Sequence, residues 1–457
     1  MTYFPNNDTI VAPSTPPGVS ALAVIRLSGP GAIGLVNRVF RGSDLEKAAS
    51  HTAHFGTIKD GDKTLDEVVA TLFRAPRSFT REDSVEISCH GSPYITSEII
   101  KLMVRSGARL AEPGEFTRRA FLNGRFDLAQ AEAVADLIHS QTAREHHAAI
   151  HQMRGGFSAT LAGLRAKLLD FASLIELELD FSEEDVEFAD RSALEQTVKD
   201  LLSILQPLIE SFNLGNVLKN GVPTVIAGKP NAGKSTLLNT LLNEDRAIVS
   251  EIAGTTRDII EDHVVIDGVS FRFIDTAGLR ESTDTIETIG VEKAREQMRK
   301  ASVILYLFDL STATLEEIDG EVKELKKLKI PLLITGNKLD KADARLMEQL
   351  KDREGYLFIS AARKDHIEDL KQQLTSALHL GDIQPGDTII TNARHHERLT
   401  RTREALTAVE EGLTRQLTGD LLAEDIRLAL HYLGEITGEV TNDEVLGNIF
   451  GRFCIGK

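Results

Sequence analysis

Apolar and polar positions follow two different periods along this chain. Four short apolar runs, at 224–227, 269–274, 331–335 and 356–359, have the length and the β-branched or aromatic content of buried strands. Each gives way at once to glycine or polar residues. Two more, ALAVIRL at 21–27 and SVEISC at 84–89, read as strands of an N-terminal region punctuated by Pro-Gly turns, with apolar residues at helical spacing over 93–105. From Phe126 to about Asn213 the period lengthens to three and four, as in LAQAEAVADLIHSQTAREHHAAI, and it returns from Ala393 to Tyr432. The fold class expected is multidomain, α/β plus all-α: an α/β domain over 1–120, a helical segment over 121–215, a second α/β domain over 216–382, and a second helical segment with a short tail over 383–457. A turn-rich stretch from Gly381 to Asp387 reads as the linker out of the second α/β domain. Helical sequence flanks that domain on both sides, so one bundle with the domain inserted in it is the simplest way to bury both amphipathic sets.

The ends of the four runs carry the chemistry. The first, opening at Thr224, feeds Gly228-Lys-Pro-Asn231-Ala232-Gly233-Lys234-Ser235-Thr236, of the form G-x-x-x-x-G-K-[ST]. Backbone N–H groups there, with the start of a helix at Ser235, form a cradle for phosphates; Lys234 adds positive charge and the Ser235 hydroxyl is placed to ligate magnesium. The second run ends in Asp275-Thr276-Ala277-Gly278, where Asp275 can hold magnesium through water and Gly278 can offer its N–H to a γ-phosphate. The third ends in Asn337-Lys338-Leu339-Asp340, whose last carboxylate can accept from both N1–H and the 2-amino group of guanine. Adenine has neither donor, and sites of this kind discriminate by roughly 10⁴. Ser360-Ala361, after the fourth run, complete a base pocket through backbone N–H groups. Four motifs in this order read as a GTP-binding domain.

A first switch, Glu251-Ile252-Ala253-Gly254-Thr255-Thr256-Arg257-Asp258, has threonines able to close on magnesium and the γ-phosphate. Leu279 stands where a Ras-like switch carries the glutamine that orients the attacking water, and leucine cannot do that. Of Glu281, Asp284 and Glu287, the last opens the helical run 287–300 and is the one most easily held in place for that task.

Charge narrows the picture further. With 52 Lys and Arg against 69 Asp and Glu, the formal charge of −17 argues against a broad nucleic-acid-coating surface and leaves room for a local basic patch. No run approaches the ~18–20 apolar residues of a membrane span, and MTYFPNNDTI is neither basic nor apolar, so a cytoplasmic protein is expected. Arg26 and Glu86, each inside a strand pattern, face either a ligand pocket or solvent. His146, His147 and His151 lack acidic or cysteine partners at ligand spacing and read as a solvated helix face. The acidic run Glu183, Glu184, Asp185 and Glu187 reads as a loop or helix start. Cys454, in the terminal GRFCIGK, is either a free, reactive thiol or a tucked, inert one.

Taken together, GKPNAGKST, IAGTTRD, DTAGLR, TGNKLD, TIVAPSTPPG with IRLSG, AEPGEFTRRAFLNGRFDLAQAEAV and FCIGK resemble the bacterial MnmE (TrmE) family of tRNA modification GTPases over essentially the whole chain. The resemblance implies an N-terminal folate-binding and dimerising domain, a helical domain of two separated segments, and an inserted Ras-like G domain. It implies a homodimer that works with an FAD- and NADH-using partner, MnmG (GidA), in a heterotetramer on tRNA. Together they add an aminomethyl or carboxymethylaminomethyl group to C5 of the wobble uridine, with 5-formyl- or 5,10-methylene-tetrahydrofolate as carbon source. By the same resemblance Asn231, Ser250, Ile252 and Thr255 match potassium ligands, and Ser235 and Thr256 match magnesium ligands. Glu287 matches the water-orienting glutamate, Cys454 the cysteine tied to the modification reaction, and Arg26, Glu86 and Lys457 the folate contacts. The family's folate-contacting lysine before Leu-Asp-Leu is Arg125 here, in GRFDL, which keeps the charge and changes the shape. The rival reading is a ribosome-assembly GTPase of the Era or EngA type. Such proteins append a basic RNA-binding module, and none follows Ser360.

Overall fold

The computed structural model describes residues 8–180, 191–245, 262–274, 298–378 and 388–456. The chain divides into two compact units, one of residues 1–135, 152–198 and 404–457 and the other of residues 136–151 and 199–403.

In the first unit, strands β1 (Ile10–Pro13), β2 (Ser20–Ser28), β3 (Phe40–Arg41), β4 (Thr52–Asp60), β5 (Lys63–Phe73), β6 (Ser84–Gly91) and β7 (Arg109–Leu110) form one sheet in the order β3-β4-β5-β6-β2-β1-β7. Neighbours run antiparallel except β1 and β7. Alternation sets its two faces: Val68, Ala70 and Leu72 of β5 are buried while Glu67 and Val69 are exposed. The buried face is closed by the helices Ala32–Val39 and Pro93–Arg105, whose Leu35, Val36, Ile99 and Met103 join Ile25, Leu27, Val85 and Ile87 of the strands in one core.

The helical sequence of this unit follows its apolar stripes. The helix Gly156–Asp180 buries Leu161, Leu164, Leu168, Ala172 and Ile175, and Gly419–Thr437 buries Leu422, Ile426, Ala429, Leu433 and Ile436. Arg427 pairs with Glu176 at 2.8 Å and Arg165 with Glu439 at 2.9 Å along that packed pair. The period read as continuous from Phe126 breaks into Leu128–His139, Ala143–Met153 and Gly156–Asp180. Thr142 caps the second helix by accepting from Glu145 N at 3.1 Å, and Gly155 takes a φ of +87° before the third. His146 and His147 are exposed on that second helix, in the other unit.

In the second unit, β8 (Val222–Ala227), β9 (Asp262–Ile266), β10 (Val269–Phe273), β11 (Val303–Asp309), β12 (Leu332–Asn337) and β13 (Tyr356–Phe358) form a sheet ordered β13-β12-β11-β8-β10-β9, parallel except for the β9–β10 hairpin. Helices cover both faces: Leu237, Leu241, Leu370 and Leu374 pack on one side, and Ile318, Val322, Leu325 and Leu350 on the other. The chain leaves β8 to build β10 on one flank and β11 on the other, so the crevice at the carboxyl end of β8 is the topological switch point where ligands bind in open α/β sheets. No helix of the described residues is long and apolar enough to cross a membrane. The linker expected between Gly381 and Asp387 and the acidic run from Glu183 to Glu187 lie outside the described residues.

Candidate functional sites

The loop after β8 is shaped by two glycines that no other residue could replace. A Cβ on Gly228, at φ +148°, would stand 2.1 Å from the Leu307 carbonyl of β11. One on Gly233, at φ +95°, would stand 2.2 Å from Asn337 Nδ2. Asn231 also takes a left-handed φ, of +65°. The backbone therefore coils tightly into the helix Lys234–Asp245, whose first turn carries Ser235 and Thr236. Lys234 Nζ donates to Gly228 O at 2.6 Å and Lys229 O at 3.0 Å, inside the same turn. Burial pushes that ammonium below its ordinary pKa, so an anion seated in the turn would be strongly favoured.

Asn337, at the end of β12 and 2 % exposed, ties this turn to the next one: its Nδ2 donates to Ala232 O at 2.9 Å and its Oδ1 accepts from Ala361 N at 3.0 Å. Ser360 Oγ donates to Asp340 Oδ1 at 2.7 Å. That bond holds the Asp340 carboxyl below the usual carboxylate range, with a smaller contribution from Arg363. Asn337, Asp340, Ser360, Gly233 and Thr236 thus line one cavity of about 130 Å³. Lys338 lines it too, but its charge is engaged elsewhere: Nζ pairs with Asp309 Oδ2 at 2.6 Å at the end of β11. Burial pushes the Asp309 carboxyl up, and Lys338 with Ser311 more than offsets it. Asp309 has no motif around it, so sequence alone did not single it out; the one available sign was a carboxylate closing an otherwise apolar strand.

Of the residues expected here, Ser250, Glu251, Ile252, Ala253, Gly254, Thr255, Thr256, Asp275, Thr276, Ala277, Gly278 and Glu287 lie outside the described residues.

The N-terminal unit holds a second cluster. Arg26 of β2 and Glu86 of β6 are register partners, and Arg26 Nη2 and Nε reach Glu86 Oε1 at 2.8 and 3.0 Å. The Arg26 guanidinium lies 5.4 Å from the Phe79 ring centre and 5.7 Å from that of Phe116, while Arg125 lies 5.5 Å from Phe79 and 5.2 Å from Phe126. Cations and rings thus alternate across one wall. The C-terminal tail docks beside it. Ile455 bridges Pro113, Gly114 N donates to Cys454 O at 3.4 Å, and a Cβ on Gly456 would stand 2.0 Å from the Pro13 carbonyl at the end of β1. The Cys454 thiol is exposed, whereas Cys89 is buried and its thiol pushed up by that burial. Lys457 lies outside the described residues. The three phenylalanines were not legible as a set, because three loops and helices bring them together.

Both regions have counterparts among known proteins. Residues 9–125 match the family model described as the GTP-binding protein TrmE N-terminus, and residues 128–454 match the MnmE helical domain. The tRNA modification GTPase MnmE of Cytophaga hutchinsonii is 55% identical over 456 residues, covering 100% of this chain and 99% of that protein. The chain belongs to the MnmE family of tRNA modification GTPases. The MnmE protein of Christiangramia forsetii is 52% identical over 471 residues, with 99% of each chain covered. That of Bacteroides thetaiotaomicron is 48% identical over 470 residues, covering 99% of this chain and 100% of that one. Likeness of this extent to MnmE proteins sets aside the Era or EngA alternative.

Proposed function

We propose that the chain is a potassium-activated GTPase that, with the FAD-dependent partner MnmG in a heterotetramer, installs an aminomethyl or carboxymethylaminomethyl group at C5 of the wobble uridine of certain tRNAs. A cytoplasmic setting suits that work. The observation that carries the nucleotide reading is the bond set joining Ala232, Asn337, Ala361, Ser360 and Asp340, which puts a phosphate cradle and a fixed carboxylate in one crevice. Phosphates would sit against the backbone N–H groups of 228–235 and the helix start, with Lys234 turned onto them. Guanine would place N1–H and its 2-amino group on Asp340.

In this reading residues 216–382 are the G domain, inserted between two segments of the helical domain. The cradle that a Cβ would fill at Gly233 leaves backbone room for a liganded phosphate, and Ser235 with Thr256 would hold magnesium, aided by Asp275 through water. Asn231, Ser250, Ile252 and Thr255 would hold potassium, which would supply positive charge where other GTPases use an arginine finger. Glu287 would orient water. The ring-and-guanidinium wall of Arg26, Phe79, Phe116 and Arg125, with Glu86 and the tail that ends in Lys457, suits a flat heterocycle bearing an acidic tail, which fits a 5-formyl- or 5,10-methylene-tetrahydrofolate.

The exposed Cys454 thiol next to that wall belongs to the modification chemistry and not to GTP hydrolysis. In a strain deleted for the gene, the wobble uridine should lose its C5 group. Wild type should restore it and Cys454→Ser should not, although the purified variant hydrolyses GTP near the wild-type rate. A deletion strain with unaltered uridine would overturn the assignment, and a parallel fall in both activities would make the tail structural.

A further inference from the structure

Around the second cluster, three guanidiniums are answered by carboxylates. Arg26 has Glu86, Arg109 has Asp8 and Glu115, and Arg119 has Asp8, Glu82 and Glu115. Arg81 and Arg125 differ from these three: among the described residues neither has a carboxylate within ion-pair distance. They are also held close together. Arg81 Nη1 donates to Asn123 O at 3.0 Å, and Asn123 Nδ2 returns a bond to Thr80 O at 2.7 Å, which locks the loop between β5 and β6 to the turn that carries Arg125. Arg125 Nη1 donates to Ser78 O in that same loop. The Arg125 guanidinium loses basicity first through burial and then through the nearby Arg81 cation, the signature of a positive pair that an anion would relieve.

The backbone is set against its own preference to make this pair. Arg81 takes a left-handed φ of +60°, which a side chain of its kind rarely adopts and which marks a position chosen for where it puts that side chain. Both arginines are exposed, and Arg125 shares the Phe79 ring with Arg26 of the neighbouring wall. A single carboxylate would be met by Arg125 alone with its remaining N–H donors. Two adjacent guanidiniums suit a succession of carboxylates leaving the wall toward solvent.

We propose that Arg81 and Arg125 receive a chain of carboxylates, so that the one-carbon carrier taken by this chain is the polyglutamylated form of a reduced folate. The inference rests on the folate reading above and goes beyond it by naming the form of the ligand and Arg81 as the residue that selects it. The Phe79 ring that Arg125 shares with Arg26 ties the pair to the folate wall, which favours this ligand over the other polyanion at hand, an RNA backbone.

The test is calorimetric titration of the full chain with monoglutamyl and with triglutamyl tetrahydrofolate at low and moderate salt. Wild type should bind the triglutamyl form about tenfold tighter, an advantage that shrinks as salt rises. Arg81→Asn, whose new side chain tolerates a left-handed backbone, should bring the two affinities within about twofold of each other, and Arg81→Lys should restore part of the gap. Equal wild-type affinities would overturn this inference and leave the folate site standing. Failure of both forms to bind would overturn the folate reading itself. An Arg81→Asn chain that keeps the triglutamyl preference but loses affinity for tRNA would assign the pair to nucleic acid and refute the proposal.

Discussion

Asp340 owes its position to two neighbours: Ser360 Oγ donates to one oxygen at 2.7 Å, and Arg363 Nε stands 3.7 Å from the other. It is an anion throughout the neutral range, able to accept two parallel N–H bonds from a purine edge. Replacing it by asparagine keeps the shape and turns one oxygen into a donor, which meets the 2-amino group of guanine donor to donor. Asp340→Asn should therefore weaken GDP binding by about 100-fold and move preference to xanthine nucleotides, whose 2-oxo group accepts. Unchanged GDP affinity in equilibrium titration would show that the base sits elsewhere. Much at this scale was readable in advance, because Asn337, Asp340, Ser360 and Ala361 each follow a strand and the fold brings strand ends together. What could not be read was partner choice. Lys338 finds Asp309 across two strand ends, and Arg26 finds Glu86 through a register that the sequence does not state.

Among the elements, the short helix Glu115–Leu122 shows how a buried charge network fixes one piece of chain. Glu115 Oε1 accepts from Arg109 at 2.6 Å and Arg119 at 3.0 Å, and Oε2 accepts from the Glu112 N–H at 2.8 Å, with Arg119 only 3 % exposed. Burial pushes the Glu115 carboxyl up, but the Arg109 and Arg119 bonds win and hold it below its ordinary value. A folded pKa below the unfolded one means stability that is fully present above about pH 4.3 and lost as pH falls through the folded value. Glu115→Gln leaves the buried Arg119 and the half-buried Arg109 short of a counter-charge, so it should cost about 3 kcal/mol at pH 7. It should also flatten the acid limb of the stability curve, measured by urea unfolding from about pH 6 downward. A variant with the wild-type acid limb would mean that Glu115 is not the group being titrated. This network shaped the N-terminal domain invisibly to periodicity, and so did β4 and β5. Their outward residues mix Phe55 and Val69 with Glu67 and Thr57, which hides the alternation that β2 and β6 display plainly. The long helical pattern was legible as helix; its interruptions were not, since they depend on Thr142 and Gly155 in sequence that otherwise keeps the period.

For the molecule as a whole, the unexplained surface is the open face of the N-terminal sheet. Two helices close one face, and on the other Phe116 of the helix Glu115–Leu122 covers only the β1 end, over Ile10 and Ala12. Across the other, register aligns Phe55 with Val69, Val69 with Ser88 and Ser88 with Val24, and the adjoining row runs Ala53, Thr71, Glu86, Arg26. Phe55 is 69 % exposed and Leu22 62 %, an apolar share that a sheet face bears when something covers it. A second copy of the chain is the cover proposed here, because a self-complementary patch closes a dimer by symmetry and the resemblance to MnmE proteins implies one. Phe55→Glu puts two like charges into such an interface at once, one from each copy, with nothing to neutralise them. Light scattering should then report a monomer for the variant and a dimer for wild type. The Arg26–Glu86 row borders this face, so folate affinity should fall with dimer loss, whereas GTP affinity, set by the crevice at the end of β8, should stay within about twofold of wild type. A variant that remains dimeric would move the interface off this sheet, and one that turns monomeric with folate affinity intact would separate the folate wall from the dimer.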